Sequence, residues 1–154
     1  MIVCSEEFFE RLEKGELSVI ERERYKICQT AQTAMEDMPV FYIARPQGVK
    51  APAVFVRIAK MVYHKRLAKE MECAVLFEVR YLAEKPYDDS ECEQAMEKLM
   101  DAFGGDGFDK QTVSAERADD GALIKVASKL RWKLLPKEQK GVIMQSLVGQ
   151  LEKE

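Results

Sequence analysis

One histidine, His64, and one tryptophan, Trp132, are all that 154 residues contain of either type. A lone histidine excludes a His-based triad or a His metal cluster within one subunit. The four cysteines, Cys4, Cys28, Cys73 and Cys92, are far apart and form no C-x-x-C pair, so neither a disulfide framework nor a zinc knuckle is indicated and a reducing, intracellular setting is expected. A nucleophilic Cys73 or Cys92 would need a nearby base that the chain does not supply. The Gly-rich run Gly104-Gly105-Asp106-Gly107-Phe108-Asp109 has no lysine at phosphate-loop spacing and follows no strand as G-x-G-x-x-G. It also lacks the spaced acceptors and twelfth-position Glu of a calcium loop, and reads as helix exit plus turn. Met1-Ile-Val-Cys4 gives way at once to Ser5-Glu6-Glu7, unlike a signal peptide, and no apolar run approaches the roughly 20 residues that span a bilayer. No catalytic residue, cofactor, metal or small-molecule substrate is therefore expected. Two enzymatic options stay open: a carboxylate pair brought together by the fold, and a site between subunits, which would show as an apolar pocket with converging polar groups.

What is present is an ordinary globular composition, 47% hydrophobic and 33% charged, and a length that one domain accommodates. A net charge of −3 is too small to make nucleic acid or an anionic membrane the main partner. Its distribution is uneven: −4 over residues 1–40, +5 over 41–83, −8 over 84–120, +5 over 121–140 and −1 beyond. Such blocks suit head-to-tail contact between identical subunits, or simply reflect acidic helices and basic strands.

Hydrophobic spacing predicts the elements. Ser5 caps a short helix with Phe8, Phe9 and Leu12 on one side and Gly15 at its end. Ile20, Ile27, Ala31, Ala34, Met35 and Met38 follow helical spacing and predict a helix over Leu17 to Met38, stopped by Pro39. Val40–Ile43 predicts a short strand closed by Pro46-Gln47-Gly48, and a second strand follows Pro52 with Val54, Val56 and Ile58 on one face. In a third, Cys73, Val75, Phe77, Val79 and Tyr81 share a face, with Glu78 and Arg80 on the other. Ser90 with Glu93 reads as a capping box for a helix with Cys92, Ala95, Met96, Leu99, Met100 and Phe103 inward and Gly104-Gly105 at its end. A fourth strand falls within Phe108–Arg117, and Asp119-Asp120-Gly121 predicts a hairpin turn because Asp-Gly tolerates positive φ. The fifth strand, Ala122–Leu134, puts Ile124, Val126, Leu130, Trp132 and Leu134 on one face and Lys125, Lys129, Arg131 and Lys133 on the other. Pro136 ends it, and Val142 to Leu151 suggest a C-terminal helix or arm.

The expected fold class is α+β: a mainly antiparallel sheet of four to five strands, order α-βββ-α-ββ, with two main helices on one face plus short terminal helices. One domain over 1–154 is expected, with an N-terminal extension (1–15), a core (17–135) and a C-terminal arm (136–154). The segment Tyr63-His-Lys-Arg-Leu-Ala-Lys-Glu-Met-Glu72 is polar and lacks Gly and Pro. It predicts a hairpin whose arms run on past the sheet to reach a neighbour. Tyr63, His64, Lys65, Arg66 and Lys69, with the basic face of Lys125, Lys129, Arg131 and Lys133, are the candidate contact residues.

The run Phe41-Tyr-Ile-Ala-Arg-Pro-Gln-Gly-Val-Lys-Ala-Pro-Ala-Val-Phe-Val56, the charged hairpin tip around Lys65-Arg66, Phe77-Glu-Val-Arg-Tyr81, the helix bearing Met96 and Leu99, the Asp-Gly hairpin and the Trp-bearing last strand together resemble the tail-terminator (tail-completion, or tail-to-head joining) proteins of long-tailed bacteriophages, in the version common in prophages of Gram-positive bacteria. The resemblance covers roughly residues 17–148, with the first fifteen as an extra segment. It implies a virion structural protein without catalysis, assembled in the host bacterial cytoplasm. Its partners would be copies of itself in a ring, usually a hexamer, the tail tube protein and the head connector protein, with DNA passing only through the lumen. The alternative reading is a small nucleic-acid-binding or regulatory module using the basic face of the last strand, although no aromatic residue is interleaved there to stack bases.

Overall fold

A computed structural model of the protein describes residues 1–42, 48–66, 69–104 and 112–133. In chain order these form β1 (Ile2–Val3), α1 (Glu6–Glu13), α2 (Val19–Ala34), β2 (Val40–Phe41), β3 (Ala53–Arg66), β4 (Glu70–Leu82), α3 (Asp89–Phe103), β5 (Thr112–Ala118) and β6 (Gly121–Lys133). The six strands make one sheet, ordered β1-β2-β3-β4-β6-β5. β3, β4, β6 and β5 pair antiparallel, while β1 and β2 add to β3 in parallel. The α+β class and the predominance of antiparallel pairing are as expected. The addition is β1, two residues long, which no periodicity could announce and which places the N-terminal segment inside the sheet.

β4 is the centre because alternation there is cleanest. Cys73, Val75, Phe77, Val79 and Tyr81 are buried under the helices, while the intervening residues face the other way. The same holds for Ala122, Ile124 and Val126 on β6 and for Val54 and Val56 on β3. Against this face α2 contributes Ile20, Ile27, Cys28 and Ala31, and α3 contributes Cys92, Ala95, Leu99 and Phe103. Burial of so many large side chains, each contributing about 1.5–3 kcal/mol, supplies the main driving force. Among the described residues no helix covers the other sheet face, and at one end of it Phe41 stacks on Phe55 at 5.0 Å beside Ala53 and Leu82.

Helix ends follow local chemistry, with corrections to the predicted bounds. Ser5 caps α1 as expected, and Gly15 closes it in a left-handed conformation, with Gly15 N donating to Leu12 O and Glu16 N to Arg11 O. α2 starts at Val19 rather than Leu17, because Ser18 and Glu21 form a reciprocal capping box. It stops at Ala34, since Met35 already leaves helical geometry and Met38 precedes Pro39. α3 is not capped by Ser90 with Glu93. Asp88 takes that place, accepting from Ser90 N at 2.9 Å, so the helix begins at Asp89. The predicted strand Val40–Ile43 shortens to Val40–Phe41, because beyond it Tyr42 O and Val56 O bond to the Arg24 guanidinium instead of to another strand. Arg24 also lies over the Tyr42 ring at 4.1 Å, and burial draws its pKa below the usual guanidinium value. Ile43, Pro46, Gln47, Gly105, Phe108 and everything from Leu134 onward, including Pro136 and the Val142–Leu151 segment, lie outside the described residues. The fourth predicted strand is β5, Thr112–Ala118.

The turn after β5 sits where Asp119-Asp120-Gly121 predicts it, but its glycine has a different task. Among the described non-glycine residues only Lys69 has positive φ, so neither Asp119 nor Asp120 does, and the positive angle, 155°, falls on Gly121. A Cβ at Gly121 would stand 2.0 Å from Tyr81 O on β4. Close strand approach, not turn conformation alone, demands glycine here. Gly121→Ala is expected to lower stability by about 2–4 kcal/mol. Gly15→Ala, with positive φ but nothing within 4 Å, should cost about 1 kcal/mol. Urea unfolding of the two variants checks the difference.

Glu91 ties the exit of β4 to α3, accepting from Tyr81 Oη at 2.6 Å, Glu84 N at 2.8 Å and Lys85 N at 2.9 Å. Burial pushes its carboxyl pKa up, but these three donors pull it further down, to a net value below the ordinary one. A depressed carboxyl stabilises the fold above its unfolded pKa, about 4.3, and that contribution is lost as pH falls through the lower folded value. Glu91→Gln should therefore lower stability at neutral pH and flatten the fall in urea midpoint below about pH 4.3.

Candidate assembly surface

The predicted polar connector is mostly strand. β3 continues to Arg66 and β4 begins at Glu70, so Tyr63↔Cys73, His64↔Glu72, Lys65↔Met71 and Arg66↔Glu70 are paired positions. β6 accompanies them to the end, with Glu70↔Lys133 and Met71↔Trp132. The hairpin arms therefore do not outrun the sheet as expected, since β6 stays beside them; instead the three strands continue together as a ribbon. It emerges from the helix layer: Ala53 to Val56 are all buried, whereas Arg57 to Lys65 are exposed or half-buried throughout. On β6 the last fully covered position is Ser128, whose hydroxyl donates to Glu23 Oε2 of α2 at 3.1 Å.

A β-bulge between Ile58 and Lys60 decides which side chain faces where. Before it, Val54, Val56 and Ile58 lie on the helix side. After it, Met61, Tyr63 and Lys65 take that side, opposite Val75, Cys73 and Met71. Lys60, Val62 and His64 turn to the open face. The nine predicted contact residues are thus divided. Tyr63 and Lys65 sit on the helix-side face of the ribbon, near the partly buried Leu130 and Trp132. Burial raises the Tyr63 pKa, with a further contribution from the Cys73 thiol it contacts. His64, Lys125, Lys129, Arg131 and Lys133 lie on the open face, with His64 exposed on a strand rather than in a loop. Arg66 closes β3, and Lys69 stands in the connector with φ 59°.

The basic face of β6 is not a free row of cations. Arg131 Nε donates to Glu72 Oε1 at 3.1 Å, and Lys129 Nζ lies 3.8 Å from Glu72 Oε2. Lys125 Nζ is 3.9 Å from Glu116, and on β3 Arg57 Nε donates to Glu78 at 2.7 Å. Glu72 is the key to this face: a carboxylate only 7% exposed, set between two cations. Sequence reading missed it because both partners come from a strand far along the chain.

Other polar groups serve the fold. Glu21 accepts from Arg11 as well as closing its capping box, joining α1 to α2. Cys28, Cys73 and Cys92 are buried, and burial pushes the Cys28 thiol up to about 12. A shallow groove of about 580 Å³ runs between β1 and α1, lined by Met1 to Glu6, Phe9 and Glu10. Its polar groups do not converge as a catalytic site requires, because Ser5 is engaged as a helix cap. Among the described residues no three His, Cys, Asp or Glu gather as a metal site, and no helix is long and apolar enough to cross a membrane.

Among the described residues these features define a two-layer α+β protein with helices on one sheet face only and a ribbon reaching past them. The sequence matches the family described as phage tail terminator protein over residues 24–138, from within α2 to just beyond β6. The chain belongs to the phage tail terminator family, a structural and non-enzymatic family, and is a component of a virion tail. β1 and α1 precede the matched region. No curated protein matches the chain.

Removing the buried carboxylate tests the electrostatics of the open face. Glu72→Gln should destabilise by about 1–3 kcal/mol. The loss should be smaller in an Arg131→Met background, giving a coupling of about 1 kcal/mol in a double-mutant cycle by urea unfolding.

Proposed function

We propose that the protein assembles as a ring, six subunits by its resemblance to tail terminators, on the end of the finished phage tail tube. The ring stops tube growth and offers a surface to the head connector protein, with DNA passing only through its lumen. Its setting would be a prophage of a Gram-positive host, with assembly in the host cytoplasm. The domain plan is a core over 17–135 joined by β1 and α1, with a C-terminal arm over 136–154 that reaches a neighbour.

The observation that carries this reading is the emergent ribbon. Met61 and Val62 are 41% and 38% exposed, next to the half-buried Tyr63, Leu130 and Trp132. Apolar side chains in such a setting favour contact with another protein. Tyr63, His64, Lys65, Arg66 and Lys69 are assigned to contact with a neighbouring tail component, and sheet edges and the arm from Lys137 to contact between subunits. The nucleic-acid reading is weaker, because Glu72 and Glu116 occupy three of its four cations.

Purified protein added to polymerising tail tube protein should shorten the tubes and leave a ring of constant subunit number at one end, seen by electron microscopy and native mass spectrometry. Met61→Ser with Lys65→Glu should retain the wild-type unfolding curve and lose capping at least tenfold. A protein that stays monomeric among tubes and leaves their length unchanged would overturn the proposal.

A further inference from the structure

Most charges on the open sheet face are matched within the chain, but two are not: among the described residues, Lys60 and Lys133 make no ion pair. Lys60 borders a strip of small or apolar side chains formed by Val62, Ala74, Leu76 and Ala127, each half-buried or exposed in the single chain, and Lys133 stands further along the same face, beyond the row of His64, Glu72 and Arg131. Lys129, 61% exposed and 3.8 Å from its carboxylate, remains available to a second partner. On the opposite layer α3 turns Glu93, Glu97 and Asp101 outward, and among the described residues none of the three makes an ion pair or hydrogen bond. Spacing of four residues lines them up, and like charges at that spacing destabilise an isolated helix. The acidic line spans about 12 Å from Glu93 to Asp101. Lys129 and Lys133 on β6 are about 13 Å apart. Two lines of opposite sign and similar length therefore stand on opposite layers of one fold, the basic one holding the unpaired Lys133 and the loosely paired, largely exposed Lys129.

We infer that the acidic ridge of α3 in one copy docks on the basic end of the open sheet face in the next. The occupant of that face is a second copy of this chain, and the argument rests on charge complementarity. The contact is heterologous, since each copy uses a different layer toward each neighbour, and such contacts form a ring when the rotation between copies closes and a filament when it does not. Opposed charges fix orientation and reject the reversed docking. This inference rests on the ring reading above and specifies the contact between its subunits. Nucleic acid is a poorer occupant because Glu70, Glu72 and Glu78 share the same face.

Two charge reversals test it: Lys60→Glu with Lys133→Glu, and Glu93→Lys with Glu97→Lys. Each pair leaves the Glu72 clamp intact. Ring occupancy on tail tubes is counted for each variant, for their equimolar mixture and for the chain carrying all four changes. Circular dichroism melting confirms that each is folded. Each variant alone should cap tubes at least tenfold less than wild type. The mixture should restore capping, because alternating copies then meet opposite charge at every interface, and the fourfold variant should restore it too. If wild type forms rings and both reversals form them equally well, the inference falls and the ring reading stands. Loss without rescue by either the mixture or the fourfold variant also overturns this pairing. If wild type never forms a ring on tubes, the ring reading falls and takes the inference with it. Low-salt binding of a 20-bp duplex by wild type, lost on reversing Lys60 and Lys133, would assign the face to nucleic acid instead.

Discussion

β4 is paired along its length on both edges, to β3 and to β6, and the remainder of the molecule is arranged around that pairing. A one-residue slip against either neighbour would carry Glu72 and Glu78 into the core and expose Phe77 and Val79, so the register is strongly specified. With register fixed, the positions of Arg131, Lys129 and Arg57 beside those carboxylates follow. So does the close approach of Gly121 to Tyr81. The helices then have one place to go, over the odd-numbered face of β4, and the opposite face is left without a covering layer.

A sheet covered on one side is common among antiparallel folds. Here its bare face is charged, which keeps a single chain in water, yet its charges are largely neutralised in place rather than left as a field. Surface ion pairs of this kind contribute little individually. Glu72 differs because it is buried, and removing one partner of a buried pair costs far more than an exposed one.

Much of this could be read from residues alone. The alternations at Cys73–Tyr81 and Ala122–Trp132, the α3 stripe from Cys92 to Phe103, the Ser5 cap and the Asp119–Gly121 turn are local patterns, and local patterns carry their own period. What escaped depends on distant neighbours. β1 is two residues long and exists only because β2, itself foreseen as a short strand, offers it an edge. The connector from Tyr63 to Glu72 resembled a loop because the helix layer ends there, so both strand faces turn polar and alternation fades. Asp88 displaced Ser90 as the α3 cap because its carboxylate was better placed to take both free amides. In the candidate site, the nine residues named from sequence all fall on or next to the ribbon and β6, but their division between two faces was hidden by the bulge at residue 59. The carboxylate that holds two of them, Lys129 and Arg131, lies 59 positions from Arg131.

That irregularity constrains how relatives can vary. One surplus residue in β3 exchanges the two sides of everything beyond it, so Met61 and Tyr63 rather than Val62 and His64 lie on the helix side. Losing or gaining a single position between Arg57 and the connector would invert the outer half of the ribbon and exchange its greasy and charged sides. Homologues can lengthen or shorten this projection freely only in steps of two, unless the kink itself is erased or duplicated at the same time.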